Sequence, residues 1–584
     1  MSLMNLQHVA SKQSDWRALA VDKKIELMSH MLQRMCALQF EDYIEMFGAK
    51  EASMMGISRE TSEGELVATS NTFLQIVIVK STLERLLEAY QLQIGTLPKP
   101  ELQQTTSLNG QTVLQTIPVL SADKYGMLGS SRGEVWLKQT ISDVKTFDLK
   151  NLEDDATKTG AMVVLGAGNF CFLSVVDALH GLFQSNRVVY MKHHPVRAHH
   201  DELVRYLFAP LIVLGYFDTE LDQGVPRAQE LVNAECVSYV HLTGGKATHD
   251  AIVWGGPQRE KPVLKAEMTS ELGCITPWLV ADQEYTAEEL AHQAKHIFYA
   301  MYGNAGAACN SPKVLILPRH WKQKEAFIQT ITSECQRDLL PVAYYPGMKK
   351  RWDGFRAAYK EAKEIISDNK TERKLTAPML SNEPQVVPWL VVEIDVNFST
   401  EEGRKQASNE YAFQNEPFAP VFTIAYVEDL ATGVDLCNNY IYGSLSCSMT
   451  AREDVAEVET AIANLKYGSI VVNAWSAFGF FATGLTWGAF PGESLESVES
   501  GRGQVSNLFF IDGVEKSVLR TPVLDRGLQA ERDEDLSFTA KKDKAVAKFV
   551  LHPGVFTFLN MLSATKLGRE LPTLKGLFAY MKLA

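Results

Sequence analysis

Apolar positions along the chain keep two rhythms. From Trp16 to Gly48 they recur every three or four residues, which predicts one or two amphipathic helices used for packing. Residues 133–149, GEVWLKQTISDVKTFDL, alternate instead in the manner of half-buried strands, after the Pro-punctuated loop LPKPE at 97–101. Further on, the short apolar runs AMVVLG, RVVYMK and CVSYVHLTGG each precede a helix-like stretch. Strand, turn and helix in repetition predict a parallel sheet with helical crossovers. CITPWLVA, KVLIL, VVPWLVVEI and SIVVNAW predict a second α/β unit. The most apolar stretch, 160–183, contains Asn169, Asp177 and His180, and reads as a buried strand entering a helix rather than a membrane span.

Composition sets the scale. With 584 residues, 46% hydrophobic and 22% charged, the chain has material for several domains with sizeable cores. Its 70 acidic and 57 basic side chains leave a formal net charge of -13, which argues against nucleic acid as the main partner. Eight cysteines without CxxC spacing indicate reduced thiols and a cytoplasmic setting. The N-terminus lacks the basic-then-apolar pattern of a secretory leader. From about residue 523 the chain changes character: KKDKAVAKFV is basic and GVFTFLNML apolar. Packing against the body is the commoner use of such a tail, and a membrane surface is the alternative.

Candidate chemistry concentrates in a few turns. In VVLGAGNFCF, Gly166 and Gly168 follow a strand, and Cys171 stands where a GxGxxG fingerprint would have its third glycine. Asn169 carries a side-chain amide able to donate to a developing oxyanion. Lys192, at a strand end, suits ribose hydroxyls or phosphate, or is simply solvated. His193, His194, His199 and His200 show no closed metal-ligand spacing, and we expect no metal. Gly244 and Gly245 admit a pyrophosphate or just make a turn. Glu271 precedes Gly273 and an apolar strand, a position facing a cleft. In MYGNAGAACNSPKV, glycine and alanine surround Cys309, as they would if substrate had to approach a thiol closely.

Taken in order, these stretches resemble the aldehyde dehydrogenase superfamily from about residue 16 to about residue 522. The Asn-Phe turn at Asn169, Lys192, the Thr-Gly turn at Thr243, ELG at Glu271, GxxC at Cys309 and EPFAPV at 416–421 carry the resemblance, with NAWSAFGF and TWGAFPG after them. It implies two α/β domains, a dinucleotide-binding one at 1–124 and 151–270 and a catalytic one at 271–502. A bridging β arm would use 125–150 and 503–522, leaving 523–584 as a C-terminal extension without a counterpart. In relatives the arm joins subunits, so a homodimer or homotetramer is expected.

The same resemblance implies that Cys309 attacks an aldehyde, that Asn169 stabilises the oxyanion, and that Glu271 activates water to release a carboxylic acid. Lys192, Gly244, Gly245, Glu416 and Phe418 would hold NAD or NADP. Trp475, Phe478, Phe480 and Phe481 fall where a substrate tunnel is expected, and suit an apolar aldehyde. Departures from the family pattern are Ala307 for a glutamine, Cys274 for a glycine, Gly245 for a serine, and His249 near the phosphate turn. Pro195 stands where NAD-preferring members often carry a ribose-binding glutamate, so NADP is permitted. Two alternatives accompany this reading. VLGAGN without the usual Pro-Trp resembles long-chain acyl-CoA reductases, in which coenzyme A replaces water. The other alternative is a non-catalytic scaffold with the same fold.

Overall fold

Residue Ala161 to Leu165, AMVVL, is buried at all five positions and forms the centre of a six-stranded sheet. The computed structural model describes residues 3–564 apart from 122, 124–129, 142–143, 145, 147–158, 257–260, 379–384, 454, 493 and 526–535. Much of the expected 125–150 arm segment and part of the C-terminal extension therefore lie outside the described residues. Parallel to the central strand run Val189–Lys192 on one side and Val237–Thr243 on the other. Phe217–Glu220 and Glu267–Glu271 lie beyond them, also parallel, and the short Gly501–Arg502 strand closes one edge antiparallel. Successive crossovers change direction between Ala161–Leu165 and Val237–Thr243. A parallel sheet binds ligands outside the carboxyl ends of its strands at such a switch.

Eleven strands form the second sheet. Pro277–Val280 lies between Val314–Pro318 and Ser446–Thr450, with Val421–Val427 and Trp389–Asp395 further out, all parallel. On the other side follow Ser469–Val472 and Val514–Arg520, and then three antiparallel strands from early in the chain, Arg132–Leu137, Thr112–Ile117 and Gln104–Thr106. Strand Arg132–Leu137, from the segment assigned to an arm, is thus continuous with this sheet.

The two sheets meet where the site lies. Glu271 ends the last parallel strand of the first sheet, and a few residues later Pro277 begins the second. Thr276 Oγ1 donates to the Cys309 carbonyl at 2.6 Å, tying this link to the cysteine loop.

Helices cover the first sheet. Ser62–Gln93, 32 residues long, is capped by Thr61, whose hydroxyl accepts from Gly64 N–H at 3.2 Å. By length and composition it is long and apolar enough to cross a membrane, yet most of it is buried inside the molecule. Leu536–Leu551 from the C-terminal extension packs along it, and Ser70 Oγ donates to Asp543 there at 2.7 Å. Next comes Val555–Ser563, with Val555 and Phe556 exposed.

Candidate active site

Helix Ala287–Tyr302 begins with a capping box, Thr286 with Glu289, and runs into the loop that carries Cys309. Asn304, Ala305 and Gly306 then take φ of 54°, 55° and 77°, a left-handed run that costs non-glycine residues roughly 1–2 kcal/mol each. Side chains hold it there. Asn304 Nδ2 donates to Ala307 O and to Asn169 O, both at 3.0 Å, and Tyr344 Oη donates to Asn304 Oδ1. A Cβ on Gly306 would come within 2.7 Å of the Ala419 carbonyl, so this glycine is demanded by backbone meeting backbone. Ala307 and Ala308 are fully buried. Gly306 therefore seats the loop tightly against Ala419.

Cys309 is half-buried and faces Glu271, its Sγ 3.2 Å from Oε1. The other carboxylate oxygen accepts from Trp487 Nε1 at 2.7 Å. Burial, aided by the Asp177 carboxylate, raises the Glu271 pKa to about 7. Asp177 accepts from Thr243 Oγ1 at 3.1 Å and lies 3.4 Å from His241 Nε2. The Cys309 thiol is pushed well above its ordinary range by burial and by the neighbouring Glu271. At neutral pH the proton therefore rests on the sulfur, beside a carboxyl group that loses its own proton near pH 7 and can then act as a general base.

Asn169 sits at the turn between Ala161–Leu165 and helix Cys171–Leu179. Its Oδ1 accepts from Phe170 N–H at 3.1 Å, so Nδ2 is the end of the amide left to donate outward. Sequence reasoning missed what fixes this turn. Arg197 Nε donates to Gly168 O at 2.8 Å and its Nη2 to Asn169 O, while Nη1 pairs with both oxygens of Glu51 at 2.6 Å. Glu51 also meets His199 Nε2 at 2.6 Å and Cys171 Sγ at 3.4 Å. Glu51, Cys171 and His199 have the proximity of a metal cluster, but the guanidinium already neutralises Glu51. Glu51 is separated from these partners by well over a hundred residues, so no local pattern marked it.

Lys313 was also missed. Its buried ammonium donates to Ala308 O at 2.6 Å and Cys309 O at 3.1 Å, and lies 3.2 Å from Glu416 Oε1. The structure thus brings Glu416 against the nucleophile loop, at Gly273, where a Cβ would collide with its carboxylate. Burial raises the Glu416 pKa against the pull of Lys313. Phe418, at φ 42°, lies with its ring between Arg351 and Tyr345, at 5.5 Å and 5.2 Å.

Lys192 closes its strand at the carboxyl edge of the first sheet and is paired with Asp222. Gly244 and Gly245 lead into helix Lys246–Trp254, and the space beside Gly245 is open where a Cβ would be. Among the aromatics, Trp475 Nε1 donates to Asn310 O at 2.7 Å and so braces the cysteine loop. Phe480 is buried between Phe172 and Trp487, at 6.0 Å and 5.6 Å, while Phe478 packs on His296 at 6.2 Å. Phe481 is half-buried and lies 6.0 Å from Phe172, which stacks on Phe170. Phe478 and Phe480 are packing residues; Phe170, Trp475 and Phe481 keep part of their surface exposed.

Residues 405–484 match the family model described as "Aldehyde dehydrogenase family". No curated protein sequence matches the chain. Solved structures resemble it along most of its length. A γ-glutamyl-γ-aminobutyraldehyde dehydrogenase from Burkholderia cenocepacia is 15% identical, covers 88% of this chain and 87% of its own, and superposes with a TM-score of 0.57. An NADP-dependent glyceraldehyde-3-phosphate dehydrogenase from Bacillus halodurans, complexed with NADP, is 12% identical, with coverage of 88% and 90% and a TM-score of 0.56. An NAD-dependent aldehyde dehydrogenase from Sinorhizobium meliloti is 14% identical, with coverage of 88% and 86% and a TM-score of 0.55. Over most of its length the chain therefore has the fold of the aldehyde dehydrogenases, and residues 405–484 match the sequence model of that family.

Proposed function

We propose that the chain oxidises an aldehyde to a carboxylic acid through a thioester on Cys309, using NAD or NADP. The observation that carries this reading is the 3.2 Å contact of the Cys309 thiol with a carboxyl group whose pKa lies near 7. Residues suited to the dinucleotide line the carboxyl edge of the first sheet. The open backbone at Gly245, beginning a helix, leaves room for a diphosphate and aims N–H groups at it. Lys192 lies on the same edge. Glu416 and Phe418 stand beside the cysteine loop, where a nicotinamide riboside would be held. Neighbours described as NADP-complexed and as NAD-dependent support this choice of cofactor.

Glu271 Oε1 takes the thiol proton as Cys309 Sγ bonds to the carbonyl carbon. Asn169 Nδ2 and the Cys309 backbone N–H donate to the resulting oxyanion. A bound nicotinamide supplies the hydride acceptor that turns the hemithioacetal into the thioester. Glu271 releases that proton to solvent and then draws another from water as the water oxygen attacks the thioester carbon; the C–S bond breaks, the acid leaves, and Glu271 returns the proton to the Cys309 sulfur. Trp487 holds the carboxyl group in register throughout. The partly exposed rings Phe170, Trp475 and Phe481 favour an apolar aldehyde.

An aldehyde panel assayed with each dinucleotide, with and without coenzyme A, tests this. The expected result is acid formation without coenzyme A, absent in Cys309→Ala. Strict dependence on coenzyme A rejects the role of water, and binding of neither dinucleotide rejects the enzyme.

A further inference from the structure

We propose that Asp222 reads the adenosine ribose of the dinucleotide and excludes a 2′-phosphate, making NAD the cofactor; this rests on the dinucleotide reading above. Three observations converge on it.

The first is position. Val189–Lys192 and Phe217–Glu220 are adjacent parallel strands, with Lys192 opposite Glu220. Asp222 lies two residues beyond Glu220, so it emerges at the same carboxyl edge as Lys192, and the two side chains form an ion pair. This edge is where a parallel sheet of this order holds a dinucleotide, and Asp222, just beyond the outermost parallel strand, brings a carboxylate to it beside Lys192.

The second is rigidity. Asp222 gives Oδ1 to Lys192, while Oδ2 accepts from Gly224 N–H at 3.2 Å. Gly224 holds φ 87°, a left-handed value that suits glycine, and this shapes the turn that returns its N–H to the carboxylate. Its neighbour Glu220 is committed elsewhere: Arg227 Nη2 lies 2.7 Å from it and Tyr190 Oη donates to it at 2.9 Å. Asp222 is therefore the carboxylate held in place beside the lysine.

The third is the vacancy left by the sequence. Pro195, three residues after Lys192, begins the 3-10 segment Pro195–His200 and has no side-chain acceptor to offer. Asp222 supplies an acceptor from the next strand instead. A fixed carboxylate accepts hydrogen bonds from both hydroxyls of a cis-diol, and Lys192 donates to the same hydroxyls from the other side. A phosphate on the 2′ oxygen would bring two negative groups together while leaving the carboxylate without donors.

Binding of NADH and NADPH to the full chain, followed by nicotinamide fluorescence, tests the assignment without relying on turnover. Wild type is expected to prefer NADH by about tenfold or more, and Asp222→Ser to lose at least about tenfold of that preference, with NADPH binding gained. Asp222→Asn, which removes charge and keeps shape, is expected to gain NADPH binding while retaining most of its NADH binding. An unchanged melting temperature in both variants shows that the fold is intact. Equal binding of both dinucleotides by wild type, or an unchanged preference in both variants, overturns the role of Asp222 and leaves the dinucleotide reading standing. Binding of neither by wild type overturns both.

Discussion

Two thiols in this molecule each lie against a glutamate, and the two pairs differ in what surrounds them. Cys309 meets Glu271 at 3.2 Å, and Cys171 meets Glu51 at 3.4 Å. Glu51 also faces the Arg197 guanidinium and His199; although burial opposes ionisation, these partners hold its pKa down at about 2. Glu271 has an indole N–H for company and a carboxylate, Asp177, nearby, and its pKa rises to about 7. A carboxylate already neutralised by a cation cannot serve as a base at neutral pH; one left without a cation can. The lesson is that charge environment, not the thiol-carboxyl contact, separates a reactive pair from a structural one.

The largest contrast is expected on removing the thiols. Cys309→Ala should abolish aldehyde oxidation, by about 10,000-fold or more, while Cys171→Ala should retain turnover per folded molecule. Steady-state kinetics corrected for active protein make the comparison. Equal losses in both variants would break it.

Next come the carboxyl groups. Glu271→Gln should cost about 100- to 10,000-fold in kcat, with little change in melting temperature. Glu51→Gln should instead cost about 3–5 kcal/mol of stability, because it strands the buried Arg197 charge. Denaturant unfolding beside kinetics shows whether the two effects separate in this way.

How far this was legible in the sequence depends on reach along the chain. Parallel strands announced themselves as short apolar runs, and Cys309, Glu271 and Asn169 each lie in a turn with a local signature. Glu51, Arg197, Lys313 and Asp222 do not, because each pairs with a charge from another segment and single charged residues look solvated in sequence. Trp487 was visible only as part of an aromatic motif, while its indole N–H turned out to hold Glu271. Gly306 has a different reason for its size. Small residues mark any close approach, and here one approaching group is the protein's own Ala419 carbonyl.

pH sharpens the comparison with a smaller effect. Activity should rise as pH increases through about 7, where Glu271 loses its proton. The two carboxyls should also act oppositely on stability. Glu51, depressed from its ordinary 4.5 to about 2, stabilises the fold above pH 4.5, and this contribution is lost as pH falls toward 2. Glu271, raised to about 7, is best tolerated below 4.5, and its ionisation penalty builds between 4.5 and 7. Trp487→Phe removes a hydrogen bond that favours the ionised form, so the kinetic inflection should move upward and kcat fall modestly. An inflection moving downward would contradict the account of Glu271.

The central claim is that Cys309 carries the acyl group and Glu271 brings the water that removes it. Mass spectrometry of the Glu271→Gln variant, quenched during turnover with aldehyde and dinucleotide, tests both parts together. An acyl adduct accumulating on the peptide that contains Cys309 is the predicted result; an adduct on Cys171, or none while acid forms at the wild-type rate, would contradict it.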